Sequence, residues 1–320
     1  MREWLVAADD RTGALETAAE IAHSAGPVTV TVGAPPDGNG VVDLGTRAGS
    51  VAAAEAAVHA LPSAVWQAHK MDSTLRGNWA AELRARGGRA LVIAAWPQMG
   101  RTCAGGVVRV HGSPVGEVRN HLPEAELLGG LDVLRAWLAG EGRVAALDIT
   151  TSDEMDAAAA ALVGSDVLIA GAAGPVGACF AARFVGQTAV ERPSLDGRVL
   201  VVCGSATEVS REQLRRLREA RPDVPVLDTP VAGGDLDPLV ARELGFEARG
   251  RVASFDTLLV IGGDTAAAVL GDGPRLVGGT VAPGMPWSLD ADGGGPVVIT
   301  KAGGFGAPDA LARLLSRETG

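Results

Sequence analysis

The chain has 320 residues, 47% of them hydrophobic and 21% charged. That is the usage of a packed protein with room for roughly two domains, and it excludes a largely disordered chain. Asp and Glu (38) outnumber Lys and Arg (28), a net charge of −10, which speaks against general affinity for nucleic acid or an anionic membrane.

From the N-terminus onward, short Val, Leu and Ile-rich runs alternate with Ala-rich amphipathic stretches, the order of βα units around a mostly parallel sheet. The opening MREWLVAADD carries two carboxylates where a signal peptide needs an apolar stretch, and no apolar run reaches membrane-spanning length, so a soluble, cytoplasmic protein is expected. Strands are expected near residues 3–8, 27–32, 41–45, 66–71, 89–95, 143–149 and 166–170, with helices near 13–24, 50–60, 78–86, 131–139, 153–163 and 175–185. These build a large domain, residues 1–192. Within it VVRVHGSPVGEV, at 107–118, alternates about a Gly-Ser-Pro turn and reads as an inserted β-hairpin. A second domain, residues 193–320, has strands near 198–203, 224–228, 257–261, 275–281 and 296–301, and helices at 208–220 and from 265. The connection 229–256 starts Gly/Asp-rich and turns helical at VARELGFEA. The fold class is α/β: two domains, each with a mostly parallel sheet flanked by helices, with the ligand cleft expected between them.

Cys103, Cys179 and Cys203 lie far apart without CxxC spacing, and His23, His59, His69, His111 and His121 lack metal-ligand spacing. No disulfide framework and no protein-built metal site is assigned. His69 and His111 remain candidates for touching a substrate.

In open α/β sheets ligands bind beyond the carboxyl ends of the strands, and four clusters fall there. AADDRTGA places Asp9, Asp10, Thr12 and Gly13 at a helix start; one carboxylate is explained as an N-cap, the second asks for another role. HKMDSTLRGN carries Lys70 and Asp72 two residues apart, and so on one strand face, followed by Ser73, Thr74, Arg76 and Asn78. Cations, hydroxyls and a carboxylate at that density suit an anionic, hydroxylated ligand. Arg47 and Arg101 end comparable strands, where ordinary surface arginines are equally expected. VVCGSAT supplies Gly204, Ser205 and Thr207, and LLVIGGDTA supplies Gly262, Gly263, Asp264 and Thr265. Glycines before a helix let backbone N–H groups approach a phosphate at the positive helix end, although each such turn alone is as often mere tight packing. APGMPW and VVITKAGGFG add Gly284, Lys301, Gly303, Gly304 and Gly306, and the joint occurrence favours a nucleotide. GAAGPVG, at 171–177, departs from GxGxxG spacing and lacks the acidic residue farther on, so it reads as close helix packing. No GxxxxGK[ST] loop occurs.

Taken in order, ADDRTGA, KMDSTLRGN, WPQMGRTCAGGVVRVHG, VVCGSAT, GGDTA, PGMPW and TKAGGFG resemble the motifs of the four-carbon acid sugar kinase family over nearly the whole chain. The resemblance implies an N-terminal acid-sugar-binding domain, a C-terminal nucleotide-binding domain and ATP-dependent phosphorylation of a terminal hydroxyl on a tetronate. Arg11 stands where the family commonly has an apolar residue, Thr207 where it has Ser, and the C-terminal half is shorter. On this reading Lys70, Arg76 and Arg47 hold the substrate carboxylate, while Asp9, Asp10, Thr12, Ser73 and Thr74 order its hydroxyls. Asp72, with Asp10 second, is the carboxylate expected to act on the attacking hydroxyl. Gly204, Ser205, Thr207, Gly262, Gly263, Asp264, Thr265 and Gly284 would line ATP, Gly303 and Gly304 would donate backbone N–H groups to its phosphates, and Lys301 would offset their charge. Phosphoryl transfer also calls for Mg²⁺. A sugar-acid-binding protein without turnover and a nicotinamide-dependent oxidoreductase using GAAGPVG are the alternatives, and the sequence is compatible with a homodimer.

Overall fold

Strand β1 (Trp4–Ala8) is buried along its whole length, as an apolar strand covered by helices on both faces must be. The computed structural model describes residues 2–184, 186, 191–229 and 238–316. The Gly/Asp-rich start of the 229–256 connection and the end of the helix read at 175–185 lie outside them. The chain divides into two units, Met1–Ala189 and Val190–Gly320.

The first unit continues with α1 (Arg11–Ala25), β2 (Val28–Val32), β3 (Gly40–Asp43), α2 (Val51–His59), β4 (Trp66–Lys70), α3 (Trp79–Arg86), β5 (Ala90–Ile93) and β6 (Arg101–Ala104). There follow β7 (Val107–Val110), β8 (Ser113–Glu117), β9 (Glu126–Leu128), α4 (Leu131–Ala139), β10 (Val144–Leu147), α5 (Ser152–Ala161), β11 (Leu168–Gly171) and α6 (Ala173–Arg183). Its main sheet runs β2-β3-β1-β4-β11-β5-β10-β9 and every pair in it is parallel. The winding reverses at β1: α1 leads outward to β2, whereas α2 leads from β3 back across to β4, and α3 leads on toward β5. Right-handed crossovers put α1 on one face and α2 and α3 on the other; accordingly α1 packs on α6, and α2 on α3. Such a switch point opens a crevice at the strand carboxyl ends, here those of β1, β3 and β4.

The expected hairpin is a three-stranded antiparallel meander, β6-β7-β8. Its first strand was hidden in a stretch read only as a motif. The glycines of GAAGPVG are fixed by packing: a Cβ on Gly171 would lie 2.5 Å from the Ile93 carbonyl oxygen, one on Gly174 would enter the Trp96 indole, and one on Gly177 would lie 2.5 Å from Glu20 Cβ.

That last contact places Glu20 against α6, where burial pushes its carboxyl up to about 7. A carboxyl raised in the folded state above its unfolded value of 4.5 keeps its proton longer when folded, so stability falls between those two pH values and stays low above them. Glu20→Gln is expected to be more stable than the parent at pH 8, by about 2–3 kcal/mol on the linkage scale, with the advantage gone below pH 4.5. Urea unfolding at the two pH values measures it; equal gains at both would refute the titration argument.

The second unit contains β12 (Val199–Cys203), α7 (Glu208–Ala220), β13 (Val226–Asp228), α8 (Pro238–Arg251), β14 (Thr257–Ile261) and α9 (Gly263–Leu270). β15 (Arg275–Ala282), β16 (Met285–Asp290), β17 (Val297–Lys301) and α10 (Ala310–Leu314) complete it. The order is β13-β12-β14-β17-β16-β15: the first four strands are parallel, and β16 runs antiparallel to both its neighbours. Its core has Val201, Cys203, Leu259, Ile261 and Ile299 on one side of the sheet, and Leu200, Val202, Leu258 and Val260 on the other, the period of two that a doubly covered strand requires. Each unit is thus α/β with a mostly parallel sheet flanked by helices.

Cys103, Cys179 and Cys203 are buried and unpaired, and burial pushes the first two thiols up to about 12. Among the described residues no helix is long and apolar enough to cross a membrane.

Candidate active site

At the end of β1 the two adjacent aspartates diverge. Asp10 caps α1, accepting from the Gly13 N–H at 3.0 Å and from Thr12 Oγ1 at 2.6 Å. Asp9 is fully buried and receives Arg47 in a fork, Nε to Oδ2 at 2.9 Å and Nη2 to Oδ1 at 2.8 Å. Burial pushes the Asp9 carboxyl up, against the pull of Lys70 and Arg47. The same Arg47 Nη2 lies 2.7 Å from Asp10 Oδ1, and Nη1 3.8 Å from Asp72 Oδ1, so one guanidinium ties three carboxylates from two strand ends. Burial works to lower the Arg47 pKa, but Asp10 and Asp9 more than offset it and hold the group charged. Arg47 is therefore an organiser of the crevice.

β4 ends at Lys70, so Asp72 stands in the following loop and not on the strand face it was expected to share with Lys70. Lys70 is buried, donates to the Met71 carbonyl at 2.7 Å, and runs over the first turn of α1, where a Cβ on Gly13 would lie 2.7 Å from its Nζ. That contact explains the glycine in DDRTGA. Asp72 is saturated: it accepts from the N–H groups of Thr74 and Arg76, from Thr74 Oγ1, and from Arg76 Nε and Nη2, both at 2.9 Å. Burial alone would raise its carboxyl, but the hydrogen bond from Arg76, the charge of Arg47 and the bond from Thr74 together hold it far below the usual carboxylate range.

The loop itself is strained. Leu75 has φ +66, a left-handed conformation that an L side chain rarely adopts. Its buried side chain anchors it: Trp79 Nε1 donates to its carbonyl at 3.0 Å, and a Cβ on Gly116 of β8 would lie 3.1 Å from Leu75 Cδ1. The antiparallel insert thereby props the loop that carries Asp72 and Arg76.

Arg101, allowed above as a surface residue, is buried at the start of β6 and donates from Nε to Ser73 Oγ at 2.9 Å. His69 does not face a ligand; it is fully buried with its Nε2 2.8 Å from Glu82 Oε2. Arg11 is buried 3.7 Å from Asp43 Oδ2, and burial pushes that carboxyl up to about 6. The sequence reading missed Glu16, buried on α1 among these charges.

In the second unit the strand ends of β12, β14 and β17 converge. Thr207 caps α7, and its Oγ1 donates to the Gly303 carbonyl at 3.0 Å, as does Ser210 Oγ at 2.8 Å. Ser205 Oγ lies 3.1 Å from Thr207 Oγ1. Lys301 is buried, with Nζ donating to the carbonyls of Ala302 and Gly303. Gly262 caps α9 at φ +108, which demands glycine, and donates its N–H to the Lys301 carbonyl. α9 thus starts at Gly263, two residues earlier than expected, leaving Asp264 exposed and Thr265 buried in its first turn. Gly303 and Gly304 differ: a Cβ on Gly303 would strike Ser205 Oγ, whereas one on Gly304 would meet nothing within 4 Å. Gly284 forms the β15–β16 turn at φ +69, which accounts for glycine there without a ligand.

A family model described as a sugar-binding N-terminal domain matches residues 4–121. The D-threonate kinase of Cupriavidus necator is 31% identical over 96% of this chain and 96% of its own. That alignment spans 401 positions, more than the 320 residues present here, so the relative carries segments this chain lacks. A solved structure from Salmonella typhimurium LT2 shares the fold, with a TM-score of 0.75 at 20% identity and coverage of 99% of this chain and 100% of that one. One from Bordetella bronchiseptica, a domain-swapped dimer with bound citrate, matches at a TM-score of 0.50 and 25% identity over 98% and 97% of the two chains.

Proposed function

Because the chain belongs to the four-carbon acid sugar kinase family, we propose that it transfers the γ-phosphoryl group of ATP to a terminal hydroxyl of a four-carbon sugar acid of the threonate type. The observation that carries this reading is the crevice at β1 and β4, where Lys70, Arg76 and Arg47 meet Asp9, Asp10 and Asp72. Arg76 has the most exposed side chain of the three cations, at 70%, and is the one assigned to receive the substrate carboxylate, with Lys70 behind it. Arg47 is committed to Asp9 and Asp10. Citrate in the Bordetella bronchiseptica structure supports a hydroxy-acid ligand, and the swapped dimer there supports a homodimer.

Between the two carboxylates first considered for the attacking hydroxyl, the bonding favours Asp10. Asp72 already accepts five donations, while Asp10 accepts three, from Gly13, Thr12 and Arg47. Asp10 orients the hydroxyl and takes its proton as the phosphoryl group arrives. Asp72 holds Arg76 in place.

The second unit takes the nucleotide. Open space at Gly304 lets backbone approach a phosphate, and the α7 and α9 N-termini with Lys301 supply the positive charge. Mg²⁺ would be carried on the phosphates of the nucleotide, with few or no protein ligands of its own. Bound there, Mg²⁺ would neutralise charge developing on the transferred group.

With saturating ATP and Mg²⁺, threonate and erythronate at equal subsaturating concentration are expected to drive ADP release about tenfold or more faster than erythritol, the scale of a lost charge-assisted hydrogen bond. Faster turnover of the neutral polyol would overturn the acid-sugar assignment.

A further inference from the structure

Asn78 closes the DSTLRGN motif and has no part in the chemistry above. It stands at the start of α3, where asparagine is ordinarily explained as a helix cap, yet its side chain makes no capping bond. Instead Nδ2 donates to the Thr46 carbonyl at 2.7 Å and to the Gly49 carbonyl at 2.8 Å. Both partners are carbonyl oxygens, which only accept, so the position calls for a double donor such as a side-chain amide. Arg47 lies between them in the chain. The turn is closed by the Gly49 N–H, which donates to the Thr46 carbonyl at 3.1 Å, and is moored to β1 by the Arg47 N–H, which donates to the Asp9 carbonyl at 3.1 Å. Gly77 lets the two loops touch, since a Cβ there would lie 3.0 Å from Arg47 Cγ and 3.2 Å from Arg47 Cα. The turn follows β3 and Asn78 follows β4, the strands on either side of β1. The amide therefore ties together the two strand ends that flank Asp9 and Asp10. Arg47 needs that hold: its fork on Asp9 and its contact with Asp10 are all made at 2.7 to 2.9 Å, and such bonds weaken steeply once donor and acceptor drift apart or out of line.

We propose that Asn78 is a positioning residue for phosphoryl transfer: its amide latches the 46–49 turn, so that Arg47 holds the Asp10 carboxylate in place for the attacking hydroxyl. The inference rests on the kinase reading above and on the part Asp10 plays in it. Asn78→Asp separates a latch from a cap. Aspartate caps a helix start as well as asparagine does, and its charge suits the positive helix end, so a residue serving only α3 tolerates the change. A latch does not, because a carboxylate has no donor to offer the two carbonyls and repels them.

Two measurements on the full chain test this. Amide hydrogen exchange needs no ligand: in Asn78→Asp the Arg47 and Gly49 amides are expected to exchange roughly tenfold faster than in the parent, while the Glu82 amide, which donates to the Asn78 carbonyl within α3, keeps its rate. Unchanged exchange at Arg47 and Gly49, or loosening confined to α3, overturns the latch. Steady-state kinetics with threonate and ATP·Mg then reads the consequence. Asn78→Asp is expected to lower kcat roughly tenfold with KM for ATP unchanged, the scale of a reacting group slightly out of place. Added to Arg47→Ala, the same change is expected to cost nothing more, because the group it positions is already gone. A full further loss in that background shows that Asn78 acts by another route and sinks the proposal while the kinase reading stands. If the parent chain phosphorylates no tetronate, the kinase reading fails on its own, and exchange alone decides whether Asn78 holds Arg47; it also decides the matter if Arg47→Ala does not fold.

Discussion

Asp10→Asn is expected to lower kcat by about two to three orders of magnitude, the range of a lost general base, while leaving the fold and ATP affinity intact. Asparagine caps helices as well as aspartate does, so the bond from the Gly13 N–H that Asp10 now accepts survives the change. The charge does not survive, and with it go the proton acceptor and one of the partners of Arg47. Asp72→Asn makes the contrasting case. Its carboxylate is spent on Thr74 and Arg76, so its loss is expected to appear in KM and thermal stability, through a loosened Arg76, more than in kcat. Steady-state kinetics on both variants separates the roles. A hundredfold drop in kcat for Asp72→Asn beside a near-normal Asp10→Asn would reverse the assignment.

The second large effect belongs to the unit proposed to take the nucleotide. Gly304→Val adds a side chain into space where a Cβ meets nothing within 4 Å, at a residue outside the positive-φ glycines, so the protein alone has no reason to resist it. A phosphate approaching that backbone would be displaced, and losing one or two hydrogen bonds to a charged group corresponds to about ten- to a hundredfold in affinity. ATP binding is expected to fall by that factor with Tm unchanged. Gly303→Val is the control: its Cβ strikes Ser205 Oγ, so Tm and ATP binding should fall together. Undiminished ATP affinity in Gly304→Val would remove the phosphate from this turn.

Much of the molecule was legible in the sequence because strands and helices announce themselves by period. The strand reading near 257–261 coincides with β14, and the helix at 208–220 with α7. What stayed hidden had a physical reason. β16 was missed because Pro286 and Trp287 read as a motif, although in an antiparallel strand beside a tight turn they are ordinary ladder residues. β9 has three residues, too few for alternation to register. Glu16 was passed over because a charged residue on an Ala-rich helix reads as solvent-facing, whereas α1 is buried on nearly every side between the sheet and α6. The Lys70–Asp72 pairing failed because it assumed the strand extends to residue 72, when it stops at Lys70. Spacing arguments hold only inside an element, and functional residues collect where elements stop.

The three buried cysteines give the molecule internal clocks. Only the thiolate is alkylated, and thiols pushed up to about 12 at Cys103 and Cys179, or raised by burial at Cys203, expose almost none of it while the chain is folded. Modification must wait for an opening event, and when closing outpaces labelling its rate counts the fraction of time spent open. Cys103 and Cys179 sit in Met1–Ala189 and Cys203 in Val190–Gly320. One alkylation time course followed by peptide mass therefore reads the breathing of each unit separately, and adding threonate or ATP in turn shows which unit each ligand quiets.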